Sequence, residues 1–535
     1  MRWHLTRFAA LALALAAGAR AGAANNAATT AGTAPDPYVL AARIDALINE
    51  HLKKAGVAAA PKADDAEFLR RAMLDLHGRV ALPREYYDLT TAKDAQKRRQ
   101  LVDKLLDGPG YVNHFTDVYR NLYLPETMAN VETVYFQFGF DNWLRKKFQS
   151  NTPYDVMARE LITAQISNRG NQYINPYGGQ ENPLAFFSVK EAKPENIASS
   201  VTKIFLGIQI ECAQCHNHPF ARWSREQFWG TAAFFAGIER TQPNFYSPMR
   251  EVYDRREIAI PNTDKVVQAS FLDDKEPQWK FQTSSRVTFA EWMTAPDNPY
   301  FARTAVNRLW AHFFGIGIVD PVDDFNDENK ASHPELLDEL AKAFVAAKYD
   351  MKYMIRAITA TEAYQRTSTL TDSSQSNPRL YARMPVKGMT GEQLFDSLAM
   401  TVGYRDPYPK NTPAVFFGGN SPRADFVAKF NSTSKVTETQ TSILQALMLM
   451  NGKFLADATS IDKSETLAAV SESPFMDTGR KIETLYLAAL GRKPRPEELQ
   501  KLVKHVETGD PAKQKQRLGD VFWTLLNSVE FRVNH

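Results

Sequence analysis

The chain contains two cysteines, Cys212 and Cys215, and they are only three positions apart. Such a pair cannot cross-link distant segments, so the sequence excludes a disulfide framework as the source of stability. The fold must therefore depend on buried apolar side chains. Hydrophobic residues make up 44% and charged residues 23% of the 535 residues, which is typical of globular chains long enough to bury sizeable cores.

Apolar residues recur at helical spacing along most of the sequence. They fall on one helical face in residues 39–52, and the same pattern returns from Val287 to the C-terminus. Between these regions, residues 241–285 hold four prolines and two short runs typical of strands. The sequence predicts a mainly α protein, with two helical modules and a small strand-containing insertion between them.

The N-terminus carries Arg2 and Arg7, then an apolar stretch over residues 8–17, then small residues over 19–23. This order is typical of a secretory signal peptide. Residues rich in Ala, Thr, Asn and Pro follow it. We expect a signal peptide at 1–24, a flexible leader at 25–37, an N-terminal helical module at 38–240, a linker or small β insertion at 241–285, and a C-terminal helical module at 286–535.

The signal peptide predicts export to the periplasm or the extracellular space. No other stretch reaches the roughly 18 uncharged apolar residues that a spanning helix needs, so we expect no transmembrane segment in the mature chain. An uncleaved signal that acts as an anchor is the alternative. The net charge of +3, with no basic block, gives no reason to expect a nucleic-acid partner.

The clearest chemical signature is Cys-X-X-Cys-His, formed by Cys212, Cys215 and His216. This motif is typical of covalent haem attachment, in which two thiols bond the vinyl groups and the histidine binds iron. With 10 histidines in 535 residues, a histidine follows the second cysteine by chance about once in fifty. We therefore predict that Cys212 and Cys215 attach haem c and that His216 is the proximal ligand.

The residues before the motif predict its local structure. Apolar positions from Val201 onward fall at helical spacing, and both cysteines continue that spacing. We expect one helix over residues 201–215, with both thiols on one face and the motif at its C-terminal end. The nearby Trp223, Phe228 and Trp229 are expected to shield the porphyrin.

Other interpretations of the motif remain open. With His218 added, Cys-X-X-Cys-His-X-His could bind zinc. The two thiols could instead form a disulfide or a redox-active pair, or they could be inert buried cysteines. The second axial ligand of a haem is also open. His312 is one candidate for this distal position, although a histidine on such a helix more often packs through a hydrogen bond.

Several segments resemble a family of large secreted proteins associated with planctomycete cytochromes, which pair an N-terminal and a C-terminal module of unassigned function. The similar segments are Arg71–Gly78, Asp103–Leu106 and above all Phe205–Phe220 for the first module, then Asn298–Arg303, Val306–Trp310, Gly315–Val319, Ser332–Asp338 and Leu526–His535 for the second. The resemblance implies two modules and strengthens the haem interpretation. It implies no activity. Family members often carry a separate cytochrome-like domain, which this sequence lacks, so the internal motif is expected to work alone.

We therefore expect an exported protein that binds one c-type haem and transfers electrons, as a carrier or together with other periplasmic redox proteins. The alternative is a non-redox surface scaffold that binds polysaccharide, with the motif as a structural metal or disulfide site. No catalytic residue can be named, because the sequence has no nucleophile elbow, phosphate-binding loop or zinc-protease motif. Whether the protein is an enzyme is left open.

Overall fold

Helices dominate the part of the chain that the computed structural model describes, and the predicted mainly α fold is confirmed. The described residues are 33–129, 132–166, 180–219, 221–245, 247–273, 275–405, 421–430 and 452–535. Within these ranges, no helix is long and apolar enough to cross a membrane. The predicted signal peptide and most of the predicted leader lie outside the described residues.

Eleven helices are described before the first strand. Their bounds are α1 Pro37–Ala55, α2 Asp65–His77, α3 Pro83–Thr91, α4 Lys97–Leu106, α5 Pro109–Tyr123, α6 Glu126–Ala129, α7 Phe136–Gln149, α8 Tyr154–Ile162, α9 Ala185–Val189, α10 Pro194–Val201 and α11 Arg225–Ala233. A π-helical turn, Thr202–Leu206, and a 3-10 turn, Glu211–Gln214, lie between α10 and α11.

Four short strands follow as two antiparallel pairs. Strand β1, Ile238–Arg240, pairs with β2, Met249–Glu251, and β3, Glu257–Ala259, pairs with β4, Val266–Gln268. Helix α11 packs against the second pair. The small strand-containing insertion expected between the helical regions is therefore present.

The helical pattern then resumes. The helices are α12 Ser285–Met293, α13 Phe301–Phe314, α14 Pro334–Ala346, α15 Met351–Ala360, α16 Glu362–Gln365, α17 Gly391–Val402, α18 Pro422–Phe430, α19 Lys453–Ala458, α20 Glu465–Glu472, α21 Thr478–Leu490, α22 Pro496–Glu507 and α23 Gln514–Asn527. Strands β5, Lys387–Gly388, and β6, Val533–Asn534, form a third antiparallel pair. Short 3-10 turns cover Ser373–Ser376, Pro378–Leu380, Pro511–Lys513 and Glu530–Arg532.

The described residues bury two hydrophobic cores. The first core draws side chains from Leu40 to Met384, and the second draws them from Leu394 to Phe531. The break between the cores therefore falls inside the segment predicted as one C-terminal module. Helix α1 packs against α14 and α15, so the first core is shared between residues of both predicted modules. Apolar spacing identifies the buried face of a helix but not the distant helix that covers it.

A buried carboxylate connects elements from both ends of the chain. Asp75 on α2 is 1% exposed. It accepts hydrogen bonds from Lys387 Nζ at 2.6 Å, Asn534 Nδ2 at 2.7 Å and Tyr364 Oη at 2.8 Å. Lys387 Nζ also donates to the carbonyl oxygen of His312 at 2.9 Å. Burial lowers the pKa of Lys387, and Asp75 partly offsets that effect. We call Asp75 with Lys387, Asn534 and Tyr364 the Asp75 cluster.

Arg70, which also lies on α2, holds the C-terminal segment by donating hydrogen bonds to its main-chain oxygens. Its guanidinium is buried and donates to carbonyls at distances of 2.9 to 3.3 Å. The acceptors are Ala489, Glu530, Phe531 and Val533. Arg70 and the Asp75 cluster together fix strand β6 against α2.

We expect Lys387→Met to lower the free energy of unfolding by about 3–5 kcal/mol, because it leaves the Asp75 carboxylate buried without a cation. Urea denaturation measures this change. The double variant Asp75→Asn/Lys387→Met is expected to recover part of the loss. Lys53→Met on the exposed face of α1 is the matched control and should change stability by less than about 0.5 kcal/mol. Equal stability of Lys387→Met and the parent protein would contradict the role given to the pair.

Stability should also depend on pH through two largely buried histidines. Burial lowers the pKa of His333 and of His535 to about 4. His333 is 3% exposed, and its Nε2 lies buried with no hydrogen-bond partner in the described structure. An unfolded histidine titrates near 6.5, so between pH 6.5 and 4 the unfolded chain binds protons that the folded chain does not. The contribution of these two histidines to stability is therefore complete above pH 6.5 and falls as the pH drops towards 4. Burial raises the pKa of Asp45 and of Asp141 to about 6, and these two carboxyls oppose that loss.

The measurement is the free energy of unfolding in urea at several pH values between 7 and 4. We expect a loss of up to about 1.4 kcal/mol per pH unit for each histidine. His333→Gln and His535→Gln should each make the slope shallower. The same substitution at exposed His505 should leave the slope as it was. A slope that neither buried variant changes would show that other groups control the acid sensitivity.

Candidate functional site

The segment that leads to the motif does not form the single helix predicted over 201–215. Helix α10 ends at Val201, and the π-helical turn Thr202–Leu206 ends at Gly207, which has a φ of 65°. A glycine adopts this left-handed conformation without steric cost and so ends the helix there. The helix prediction was wrong because the apolar spacing in the sequence continues past Gly207, whereas the helical backbone ends at that residue.

Gly207 also fits into a tight contact with the C-terminal region. A Cβ atom at this position would lie 2.6 Å from Cδ2 of Phe325 and 2.8 Å from Oγ1 of Thr304. The amide of Phe325 donates a hydrogen bond to the Gly207 carbonyl at 2.9 Å. The turn before the motif is therefore held by residues that are distant in sequence. Thr304, the nearer of the two, is more than 90 positions from Gly207.

The cysteines lie on a short 3-10 turn. Residues Glu211–Gln214 form the turn, and Cys215 follows it directly. A 3-10 helix has three residues per turn, so Cys212 and Cys215 lie on the same side of it. Both thiols belong to exposed residues, while Ala213 between them is buried. Their exposure is contrary to the interpretation of the pair as inert buried cysteines.

The ring of His216 makes a hydrogen bond to the main chain. Its Nδ1 lies 2.7 Å from the carbonyl oxygen of Asn217, and the residue is exposed. A carbonyl oxygen can only accept, so Nδ1 carries the proton and Nε2 carries the lone pair. Metal-binding histidines commonly donate their other ring N–H to a carbonyl in this way.

Helix α11 holds the motif in place by hydrogen bonds to Gln214 and Asn217. Trp229 Nε1 donates a hydrogen bond to the carbonyl oxygen of Gln214 at 3.0 Å. Gln214 is the residue directly before Cys215. Arg225 Nε donates to the same oxygen at 3.2 Å, and the amide of Arg225 donates to Oδ1 of Asn217 at 3.0 Å. These three hydrogen bonds fix the residues on both sides of Cys215. Arg225 and Asn217 were not predicted from the sequence, because no spacing rule relates the start of a helix to an earlier turn.

His218 contributes to the loop that follows the motif. Its amide donates to the carbonyl oxygen of Trp223 at 2.8 Å, and its Nδ1 accepts from the amide of Ala221 at 2.9 Å. Nδ1 is therefore occupied as an acceptor. Across the described ranges, no group of three or more His, Cys, Asp or Glu residues is arranged to hold a metal ion. The zinc alternative would need these side chains to rearrange.

The aromatic residues predicted to shield a porphyrin are buried beneath the motif. Phe228 and Trp229 pack edge to face with ring centroids 5.4 Å apart, and Trp223 packs under the guanidinium of Arg222 at 5.1 Å. Trp229 is in direct contact with the motif through its indole N–H. The other two support the surrounding structure.

A cavity of about 460 Å³ lies beside the loop that follows the motif, a volume within the usual range of ligand sites. Arg222 and Trp223 from that loop line it together with residues of the C-terminal region. Those residues include Tyr300, Arg303, Val319, Phe325, Lys330 and Leu337. Aromatic and aliphatic side chains suit a porphyrin face, and the three cationic side chains suit its carboxylates. Neither cysteine nor His216 lines this cavity, and Asp327 adds a carboxylate to it, so only Ala221, Arg222 and Trp223 among the described residues connect it to the loop after the motif.

His312 lies elsewhere, inside the first core. Its Nε2 is hydrogen-bonded to the carbonyl oxygen of Asp75 at 2.8 Å, and its ring packs against His114 and Phe115 with centroids 5.6 and 5.3 Å away. Burial lowers the pKa of His312. None of these contacts involves His216 or the cysteines. The distal-ligand role of His312 stays a prediction that these contacts do not favour.

The described residues form a mainly helical protein whose region before the strands presents an exposed Cys-X-X-Cys-His turn. Two family models match the chain. PSCyt2, a protein of unknown function (DUF1549), matches residues 43–240, and PSD1, a protein of unknown function (DUF1553), matches residues 285–416. The resemblance to paired N-terminal and C-terminal modules is confirmed. No curated protein and no solved structure matches the chain.

We expect Gly207→Ala to destabilise the protein by more than the same substitution at Gly56. Both glycines have a φ near 65°, which costs an alanine about 1–2 kcal/mol. A Cβ at Gly56 meets no atom within 4 Å, whereas at Gly207 it collides with Phe325. Urea denaturation of both variants isolates the cost of the collision, about 1–3 kcal/mol. Equal losses of unfolding free energy in the two variants would show that Phe325 moves aside for the added methyl group without cost.

Proposed function

We propose that this protein is an exported c-type haem-binding protein with an electron-transfer role. The observation that carries the proposal is the exposed 3-10 turn, which places Cys212 and Cys215 on one side and is followed by His216 with Nδ1 bound to a carbonyl. Two accessible thiols and an available imidazole nitrogen are the three groups that haem attachment requires.

The two cysteines would form the covalent links. Each S–H adds across one vinyl group, so that sulfur bonds one carbon and the proton goes to the other, with no change in oxidation state. The thiols must be reachable for this addition, and both cysteines are exposed. Haem, when bound, supplies one-electron chemistry at its iron.

His216 would bind the iron through Nε2. The hydrogen bond from Nδ1 to the carbonyl of Asn217 fixes the ring orientation and increases the basicity of the other nitrogen. Asn217 is in turn held by the amide of Arg225 at the start of α11. These hydrogen bonds would hold the His216 ring in one orientation without any contact from the haem.

The geometry of the thiols is supported from α11. Trp229 and Arg225 both donate to the carbonyl of Gln214, directly before Cys215. A site held by hydrogen bonds from a regular helix keeps its reactive groups in a defined position. The signal peptide predicted at residues 1–24 supports export, which would bring the chain to the compartment where haem is attached.

The test is to express the full chain with export and with haem-attachment machinery, and to record its absorption spectrum and intact mass. We expect a Soret band and a mass increase of one haem that survives denaturation. Cys212→Ser/Cys215→Ser should lose the covalent adduct entirely. His216→Ala should alter the spectrum of whatever haem is attached, while His218→Ala, the matched control, should leave it close to that of the parent.

A colourless chain of unmodified mass would contradict the proposal. Metal analysis would then decide the next interpretation, since zinc removable by a chelator would favour the non-redox scaffold with a structural metal site. A native haem spectrum in His216→Ala would retain haem binding but refute the ligand assignment.

A further inference from the structure

A second cleft, which shares no residue with the motif, lies between α1, α4 and α16. The cleft has a volume of about 690 Å³, within the range of small-ligand sites. Its lining comprises Asn49, Ala59, Ala60, Lys62, Ala95, Gln96, Arg98, Arg99, Ala360, Glu362, Gln365 and Arg366. A narrow extension shares Arg98, Arg99, Ala360 and Gln365 with it and continues to Tyr38 and Arg356. We call this the cationic cleft.

Positive charge predominates in the cationic cleft. Lys62, Arg98, Arg99 and Arg366 line it, and Glu362 is the one carboxylate among the described residues of the lining. Two of these cations already have partners. Arg98 binds Asp65 at 2.8 Å, and Arg366 donates to Asn49 Oδ1 at 2.6 Å. They keep the walls of the cleft in place.

The other two cations are uncommitted. Neither Lys62 Nζ nor the Arg99 guanidinium has an ion pair or a side-chain hydrogen bond within the described ranges, and both residues are exposed. The Arg99 guanidinium stacks on the ring of Tyr38 at 4.0 Å, which fixes its plane and leaves its N–H edges available. Partial burial and the neighbouring Arg98 lower the pKa of Lys62, an effect that Asp65 and Glu362 partly offset.

The walls of the cleft come from both matched regions and are joined by main-chain contacts. Residues up to Arg99 lie within the first family match, and residues from Ala360 lie within the second. Lys62 forms an antiparallel bridge with Arg366, and the amide of Ala63 donates to the carbonyl of Gln365 at 2.8 Å. Neither region alone would form this cleft.

We propose that the cationic cleft binds a small ligand carrying two or more oxyanion groups, with Lys62 and Arg99 as its ionic contacts. Two uncommitted cations in one preformed cleft match two anionic groups on one molecule, and guanidinium and ammonium groups both bind carboxylate, sulfate and phosphate oxygens. The site is independent of the haem proposal, since it shares no residue with the motif.

Isothermal titration calorimetry on the full chain tests this, with citrate, inorganic pyrophosphate and digalacturonate as probes. Binding of one molecule per chain is expected for at least one probe, and it should weaken at higher ionic strength. The probe that binds identifies the oxyanion class. Lys62→Gln and Arg99→Gln should each weaken binding about tenfold, because each removes one charge-assisted contact.

Two further variants make the result specific. Lys53→Gln removes one positive charge from exposed α1 surface outside the cleft and should change affinity by less than about twofold. Glu362→Gln removes the carboxylate and should tighten binding by about threefold. Circular dichroism confirms that each variant is folded. Saturable binding lost only in the cleft variants supports the proposal. No binding of any probe, or equal weakening by Lys53→Gln, overturns it.

Discussion

The salt bridge between Asp75 and Lys387 is the contact on which the architecture most depends. It is fully enclosed, it connects α2 to β5, and through Asn534 it connects both to β6. A buried ion pair is not favourable by itself, because both charges lose their hydration. Here Tyr364 donates a hydrogen bond to the Asp75 carboxylate, and Lys387 donates to main-chain carbonyls of α13. Both charged groups therefore have hydrogen-bond partners besides each other. The pair therefore selects one arrangement of distant segments over all others.

Regular features of this fold follow from local sequence, and features that depend on distant partners do not. The helical face in residues 39–52 became α1, and the short runs near 257 and 266 became β3 and β4. The division into two cores was not predictable, because the pairing of α1 with α14 and α15 joins segments about 300 positions apart. The helix expected over 201–215 failed at Gly207, whose left-handed backbone ends the helical segment and whose missing side chain leaves room for Phe325.

The candidate site shows the same limit. Cys212, Cys215 and His216 were recognisable because haem attachment imposes a fixed spacing on three residue types. The residues that position them, Trp229 and Arg225, act through main-chain oxygens of the turn and leave no pattern in the sequence. The cationic cleft was equally hidden, since Lys62 and Arg366 become neighbours only when two distant segments pair.

The long separation within the Asp75 cluster has a consequence for how the protein matures. Asp75 is 312 positions from Lys387 and 459 from Asn534, so the ribosome produces the carboxylate long before either partner. Contacts of such high sequence separation form slowly and late. The Cys-X-X-Cys-His turn lies close in sequence to Arg225 and Trp229, the two α11 residues that hydrogen-bond to it, and all of these residues fall within 211–229. The turn and its supports can therefore form from local contacts before the two ends of the polypeptide close around the first core.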